Sequence, residues 1–457
     1  MNVSKIFKTM AAVALAAGSM AVLPVSAENS YDAIGGGTVE FEKYLVYDAT
    51  ANCPTAEFSF TIADGTAIAP DKTTNKAAVY AGNSDPGVNN VAPVIKNTAD
   101  NTKGAKAVFN SSKDKFTTVQ TLDDQASLGQ HTTLVNDPVD LTGGKAYSRD
   151  RVTVDLTGTL FSEPGVYRWV ITETAMTEAQ TNMGFTADSD TTRFLDVYIQ
   201  DTGFNPSTNK GTLSVVGYVL HNDPNFQPID QAGAGVTPSE PASTDSLTKA
   251  MGFTNAFTTH SLTIANDVAG NQASHDKYFK YDVTIENAGN GNVMNVVLTN
   301  ADATTGSNAA TLDGYENITQ PTSMTTGTTG ENAGKATATF YLQHGQNIVI
   351  QGIPLNAKYT VVVTGEDYTP SLVASGDTIN GKTGDTAVSI SNAVTATNTA
   401  GTIVDNNLTA DATLTVTNTR VGTIPTGVLT SLIPGIAILA LGGAGIVALR
   451  KKKEDEE

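Results

Sequence analysis

Short runs of β-branched and aromatic residues, separated by glycine, asparagine, aspartate or proline, extend over most of this sequence. Such runs are typical of β-strands joined by turns. The clearest runs in the first half are Val39–Tyr47, Glu57–Ile62, Arg151–Leu156, Val166–Thr172, Arg193–Gln200 and Thr212–Leu220. Those in the second half are Ser261–Ala265, Tyr278–Glu286, Val293–Thr299, Ala336–Leu342, Asn347–Gln351, Tyr359–Thr364 and Ala412–Asn418. No long helical period competes with them, so the sequence predicts an all-β chain of antiparallel sandwiches.

The two sets of runs separate near residues 257–260, which suggests a division into two domains. We expect tandem immunoglobulin-like β-sandwiches at residues 28–256 and 257–420. Two long stretches, residues 64–104 and 222–246, are rich in turn-forming residues and are predicted to be loops.

Both ends of the chain have the patterns of targeting segments. The N-terminus has two lysines, an apolar run and the small residues Val25-Ser26-Ala27, which is typical of a secretory signal peptide at residues 1–27. Near the other end, the apolar run at residues 428–449 is long enough to cross a bilayer as a transmembrane helix. The basic residues that open the tail at residues 450–457 would stay in the cytoplasm. The sequence therefore predicts an exported chain.

The composition argues against several classes of partner and chemistry. The net charge is −19, and removing the signal peptide takes away two lysines and no acid, so nucleic acid is a poor partner. Cys53 is the single cysteine and cannot form an internal disulfide; we expect a small, half-buried apolar residue. No metal-ligand spacing, phosphate loop or catalytic cluster is present, so we expect no metal, no cofactor and no enzyme. Calcium in a loop rich in Asp and Asn stays an alternative. The histidines without such spacing are His131, His221, His260, His275 and His344.

The pentapeptide Thr423-Ile424-Pro425-Thr426-Gly427 stands directly before the apolar run. This order of Pro-Thr-Gly, apolar span and basic end resembles the cell-wall sorting signal of Gram-positive surface proteins, which a sortase cleaves between threonine and glycine. It departs from the general Leu-Pro-x-Thr-Gly motif and is similar to the Val-Pro-Thr-Gly variants of pilus sortases. The resemblance implies a sorting signal at residues 421–457, cleavage between Thr426 and Gly427, and attachment to peptidoglycan. An ordinary membrane tail is the alternative.

Three segments of the first predicted domain, taken with the sorting signal, resemble a streptococcal-type major pilin. They are Glu40–Leu45, Phe161–Glu173 and Phe253–Asn255. In that family a lysine of the first strand and an asparagine at the end of the last strand form an isopeptide bond, with a glutamate as catalyst. By the match, these residues are Lys43, Asn255 and Glu173.

The chemistry of such a bond fits these residue types. An amide is a poor electrophile, so the lysine amine has to be neutral, and burial favours its neutral form. A carboxyl group kept protonated by apolar surroundings could donate to the asparagine carbonyl oxygen and transfer protons while ammonia leaves. Glu173 has the same strand parity as Tyr167, Trp169 and Ile171, so we expect it to point into the core. Each of the three residues also has an ordinary alternative, as a surface lysine, a solvated strand end and a turn residue.

The second predicted domain resembles the same module but differs at these positions. Asn266 occupies the lysine position, and Asn418 stands where the family has its asparagine. The glutamate position falls on Val363 or Gly365, while Glu366 has the wrong parity to face the core. We therefore expect no isopeptide bond in the second domain.

The resemblance implies a backbone pilin that a sortase polymerises into a covalent surface fibre, or fimbrium, which supports adhesion. The fibre would be attached to the cell wall and lie outside the cell. Its partners would be the sortase, further copies of the chain and peptidoglycan, with minor pilins and host surface ligands as further candidates. Lys249, a few residues before Asn255, lies near the place of the family's acceptor lysine, although the spacing is one residue short. The main alternative is a stand-alone or pilus-tip adhesin that binds a host protein or glycan.

Overall fold

The computed structural model describes residues 31–82, 91–122, 135–228, 250–300, 320–376, 386–388, 400–405 and 408–423. Its first thirteen strands are β1 (Thr38–Asp48), β2 (Ala56–Asp64), β3 (Val79–Ala81), β4 (Val94–Asn97), β5 (Lys106–Phe109), β6 (Thr121–Leu122), β7 (Val135–Asn136), β8 (Lys145–Asp155), β9 (Gly165–Glu173), β10 (Phe185–Thr186), β11 (Thr192–Asn205), β12 (Lys210–His221) and β13 (Gly252–Phe257). The remaining strands are β14 (Thr259–Ala269), β15 (Phe279–Glu286), β16 (Val293–Asn300), β17 (Ser323–Thr325), β18 (Ala336–Leu342), β19 (Gln346–Pro354), β20 (Lys358–Thr364), β21 (Thr369–Gly376), β22 (Thr386–Val388), β23 (Ala400–Asp405) and β24 (Ala412–Thr419). The helical pieces described are α1 (Glu178–Asn182) and two 3₁₀ turns, Asn101–Lys103 and Gly330–Asn332.

The first two large sheets enclose a core rich in aromatic side chains; we call this pair the first sandwich. One sheet has the strand order β10-β13-β1-β8-β4, and the other has the order β12-β11-β9-β2-β5 with β3 alongside β9. Their inner faces meet through buried side chains that include Phe41, Phe58, Phe109, Trp169 and Phe253. The predicted all-β sandwich class is confirmed.

Strand β1 lies inside the first sandwich and is covered on both of its faces. Side chains of odd-numbered residues, such as Phe41 and Leu45, face the main core. The intervening Tyr44 and Val46 pack with Tyr147 in a smaller cluster on the outer side of the sheet. A side chain at position 43 is therefore enclosed by apolar neighbours.

The second sandwich consists of the remaining two large sheets. Their strand orders are β17-β16-β19-β14-β24-β21-β22 and β18-β15-β20-β23. The core between them is mostly aliphatic, with buried residues such as Ile264, Ile348, Val361 and Leu414. The chain passes from β13 to β14 within two residues, close to the boundary predicted at residue 256, and the limits of the domains stay a prediction.

Several polar contacts join the two sandwiches beside this short connection. Asp48 accepts hydrogen bonds from the backbone N–H and the hydroxyl of Thr259. Asn52 donates to the carbonyl oxygen of Val293 and to Oδ1 of Asn295. These contacts tie the end of β1 to both the start and the edge of the second sandwich.

Each strand predicted above coincides with an observed strand, but the prediction of a loop at residues 64–104 is wrong. That stretch contains β3, which pairs with β9, and β4, which pairs with β8. Short edge strands of this kind leave little periodicity to detect. Of the other predicted loop, residues 229–246 lie outside the described residues. Cys53 is fully buried at 3% exposure rather than half-buried, since it packs into the core of the first sandwich.

Candidate functional site

Lys43 is a fully buried lysine in the core of the first sandwich. Its side chain is 0% exposed and leaves β1 on the inner face, between Phe41 and Leu45. The amine lies 4.9 Å from the ring centre of Phe58 and 5.9 Å from that of Phe253. Lysine side chains are rarely so buried unless they are paired, so the position calls for a specific partner.

Glu173 supplies that partner from the opposite sheet. It is the last residue of β9 and is buried, and its Oε2 lies 2.8 Å from Nζ of Lys43. The side chains of Tyr167, Trp169 and Ile171 on the same strand are buried as well, so the strand parity is as predicted. The inward turn of Glu173 follows from this alternation.

Asn255 is the third member of the cluster and comes from β13, which lies next to β1 in parallel orientation. Its Nδ2 donates a hydrogen bond of 2.6 Å to Oε1 of Glu173. Both oxygens of the Glu173 carboxylate are therefore engaged, one by Lys43 and the other by Asn255. The structure thus places the three residues selected from the sequence in one buried hydrogen-bonded cluster.

Burial changes the acid–base behaviour of Lys43. Loss of solvation lowers the pKa of its amine to about 8, although the neighbouring Glu173 carboxylate acts in the opposite direction. A neutral amine is therefore accessible near physiological pH, as a lysine nucleophile requires.

The carboxyl group is oriented differently from the sequence expectation. The sequence predicts that it donates to the carbonyl oxygen of Asn255, whereas in the structure Glu173 accepts from the amide nitrogen. The Asn255 Oδ1 atom accepts a hydrogen bond of 2.8 Å from the backbone N–H of Asp188. Sequence reasoning missed Asp188 because a backbone donor from a loop 67 residues away in the chain leaves no residue-type signal.

Strand register identifies the equivalent positions in the second sandwich. In the first, Lys43 lies opposite Phe253, two residues before Asn255. In the second, β14 and β24 are also parallel, and Asn266 lies opposite Val416, two residues before Asn418. Asn266 and Asn418 therefore occupy the places of the lysine and the asparagine, as the sequence suggested.

The polar cluster at this place in the second sandwich is built from neutral groups. Oδ1 of Asn266 accepts hydrogen bonds from the hydroxyl of Tyr281 at 2.6 Å and from Nδ2 of Asn418 at 2.8 Å. Val363, opposite Tyr281 in the sheet, is fully buried, whereas the Glu366 side chain is 63% exposed and pairs with Lys277. A phenol and two amides contain neither the amine nor the carboxyl group that a cross-link needs.

Several other predicted features lie outside the described residues. These are the signal peptide, Lys249, Ile424, Pro425, Thr426, Gly427 and the apolar run at residues 428–449. Within the part of the chain that the structure describes, no helix is long and apolar enough to cross a membrane. In the same part, no group of three or more His, Cys, Asp or Glu side chains could hold a metal ion.

The described residues end at Thr423, the first residue of the predicted sorting motif. Hydrogen bonds hold the residue before it, Gly422, in place. The side-chain amide of Asn271 donates to the carbonyl oxygen of Gly422 and accepts from its N–H. Asn271 thereby acts like a short length of neighbouring strand, and it holds the chain against the end of the second sandwich up to the motif.

Comparisons with known proteins give one family match and a structural likeness. A family model described as a domain of unknown function (DUF7601) matches residues 260–420, and no curated protein matches the chain. The structure is similar to that of the major pilin from Streptococcus pyogenes, with 17% identity, a TM-score of 0.44 and coverage of 85% of this chain and 100% of that one. It is also similar to the major pilin T3.2 from S. pyogenes serotype GAS13637, with 14% identity, a TM-score of 0.40 and coverage of 84% and 98%. A pilus-presented adhesin, Spy0125 (Cpa), matches at 16% identity and a TM-score of 0.23, over 51% of this chain and 38% of that one.

Proposed function

We propose that this chain is a structural subunit of a sortase-assembled surface fibre, with a Lys43–Asn255 isopeptide bond that forms inside its first sandwich. The observation that carries the proposal is the buried contact of Lys43, Glu173 and Asn255 in an apolar core. A buried charge pair contributes little net stability, since desolvating the two ions offsets their attraction. A reactive cluster explains the same arrangement directly.

In the proposed reaction, the neutral amine of Lys43 attacks Cγ of Asn255. Glu173 takes a proton from the attacking nitrogen and delivers one to Nδ2, which leaves as ammonia. The product is a secondary amide between the two side chains, and no outside reagent is consumed. The sheets already hold the reacting groups together, so the reaction gains from proximity.

The rate of bond formation should rise with pH through the pKa of Lys43. The charged groups that act on this amine are Glu173, Asp188 and Arg193, and burial outweighs them to give a pKa of about 8. Because only the neutral amine attacks, the rate should increase about tenfold per pH unit well below 8 and level off above roughly pH 9. Intact-mass measurements during refolding of unreacted chain at a series of pH values would give the profile. A flat profile between pH 6 and 9 would contradict attack by a titrating lysine.

Assembly of the fibre requires the sorting motif and an acceptor lysine. We propose that a sortase cleaves between Thr426 and Gly427, joins Thr426 to Lys249 of the next copy, and finally transfers the fibre to peptidoglycan outside the cell. Asn271 holds the chain up to Gly422, so the joint formed at Thr426 would lie close to the end of the second sandwich. A span of four residues reaches at most about 14 Å.

Replacing Lys249 by alanine should abolish the high-molecular-mass ladders that we expect on denaturing gels of wall extracts, while monomers remain attached to the wall. The reason is that the growing fibre loses the amine that attacks the Thr426 acyl group, whereas cleavage after Thr426 does not need that amine. Lys103→Ala removes an exposed lysine elsewhere on the first sandwich and serves as the control; its ladders should be unchanged. Persistent ladders in the Lys249 variant would mean that another lysine accepts the acyl group.

The alternative function is a wall-anchored adhesin that stands alone or at the tip of a fibre. It shares the sorting signal and the internal bond but not polymerisation. The same wall extracts distinguish the two functions, because a tip or stand-alone subunit gives no ladder of its own copies.

A further inference from the structure

The environment of Asn255 fixes which way its side-chain amide points. The backbone N–H of Asp188 can only donate, so the amide atom of Asn255 that faces it has to be the carbonyl oxygen Oδ1. The nitrogen of the amide must therefore face Glu173, and its carbonyl oxygen must face Asp188.

The carbonyl oxygen of Asn255 is also the atom on which negative charge develops when an amine attacks the amide. Glu173 contacts the amide nitrogen and cannot donate to this oxygen in the same orientation. The N–H of Asp188, at 2.8 Å, is the hydrogen-bond donor that the described residues place there. Donors held in position at such an oxygen stabilise tetrahedral intermediates of acyl transfer.

The loop that presents this N–H is docked onto β13 by the side chain of Asp188. Its Oδ2 accepts from the backbone N–H of Thr254 at 2.7 Å and from Nη2 of Arg193 at 2.8 Å. Its Oδ1 accepts from the N–H of Asp190 at 3.1 Å, which closes a tight turn. The N–H of Asp188 is thus held against the strand that carries Asn255.

Arg193 completes the attachment of the loop. It is buried, and its Nε donates to the carbonyl oxygen of Gly252 at 2.9 Å. Its Nη1 donates to the backbone carbonyl oxygen of Asp190 at 2.6 Å. Its guanidinium group also lies 4.7 Å from the ring centre of Phe253. One side chain therefore connects the loop to β13 on the N-terminal side of Asn255.

We propose that the backbone N–H of Asp188 is a catalytic group of the cross-linking reaction and that Arg193 is a positioning residue for it. The inference rests on the proposed function, since it concerns the same reaction. As Nζ of Lys43 bonds to Cγ, the carbonyl electron pair moves to Oδ1, where the N–H of Asp188 stabilises it. When the pair returns, the Cγ–Nδ2 bond breaks and ammonia leaves with the proton supplied through Glu173.

Two substitutions at position 188 separate the N–H from the side chain. Asp188→Ala loses the carboxylate but keeps the N–H, whereas Asp188→Pro loses both. Unreacted chain, unfolded in denaturant, is diluted to start folding, and the loss of ammonia is followed by intact mass at several pH values. Removing an oxyanion donor typically costs a factor of about 100 or more, so we expect Asp188→Pro to react about 100-fold more slowly than Asp188→Ala.

The pH profile distinguishes this effect from general loosening of the core. Loss of the N–H should lower the plateau rate and leave the midpoint of the profile unchanged. Loosening would readmit water to Lys43 and move the midpoint upward, towards the ordinary lysine pKa. Arg193→Lys, which keeps the charge but loses the planar fork, should also lower the plateau without moving the midpoint.

A second measurement applies even if the proline variant does not fold. In the unreactive Lys43→Met chain, the amide proton of Asp188 should shift upfield in the NMR spectrum when Asn255→Ala removes its acceptor, and its hydrogen exchange should speed up. An unchanged proton would overturn the inference, as would equal rates for the two variants at position 188. Failure of the wild-type chain to lose ammonia at all would instead contradict the proposed function.

Discussion

A chain of residues 28–426 should weigh about 17 Da less than its sequence requires, because joining Lys43 to Asn255 releases one ammonia. Glu173→Gln should restore the full mass, since the amide fills the same space but cannot transfer the protons. Glu366→Gln changes an exposed carboxylate of the second sandwich and is the matched control; it should remain about 17 Da light. Intact-mass spectrometry decides between these outcomes.

The same bond should have a large effect on the stability of the first sandwich. It would close a loop of roughly 200 residues between β1 and β13, and loop-entropy reasoning from disulfides gives a stabilisation on the order of 5 kcal/mol. We expect wild-type protein to unfold at a clearly higher temperature, and to resist protease longer, than the Glu173→Gln variant. A wild-type chain with the full mass of its sequence would rule out the bond, whatever its melting temperature.

The second large effect concerns force along the fibre. If neighbouring copies join at Lys249 and Thr426, tension enters the subunit just before β13, passes into β14 and leaves after β24. It therefore runs through the second sandwich and not through the Lys43–Asn255 bond. Among the described residues, the first strand β14 and the last strand β24 are joined by hydrogen bonds, including the one from Asn418 to Asn266, so we expect no covalent link to resist the load there.

Pulling a single subunit between positions 249 and 426 should therefore unfold the second sandwich reversibly while the first stays folded. The expected step corresponds to about 150 residues at roughly 3.5 Å each, less the folded length. Thr263 and Thr413 face each other across β14 and β24, so the double variant Thr263→Cys, Thr413→Cys offers a matched covalent lock. Its oxidised form should lose most of the step and its reduced form should regain it. An inextensible wild-type subunit would indicate a cross-link through another residue, such as Lys277 or Lys280.

The sequence by itself determined most of the long strands and the directions of their side chains. Alternation placed Glu173 on the same face as Tyr167 and Trp169, and the resemblance to pilins selected Lys43 and Asn255. It also pointed to Asn266 as the residue in the lysine position of the second sandwich, and parallel pairing of β14 with β24 gives the same answer. These inferences work because side-chain direction in a strand depends only on local parity.

The tertiary structure alone decided which groups surround the side-chain amide of Asn255. Short strands β3 and β4 within residues 64–104 gain their order from pairing with β9 and β8, so little of it is visible in their own sequence. The Asp188 N–H reaches Asn255 because a loop returns to β13, and every residue except proline has a backbone N–H to offer. The alternation of side chains along a strand is local, so it can be read from the sequence. A contact between two segments that are distant in sequence depends instead on how the whole sandwich packs.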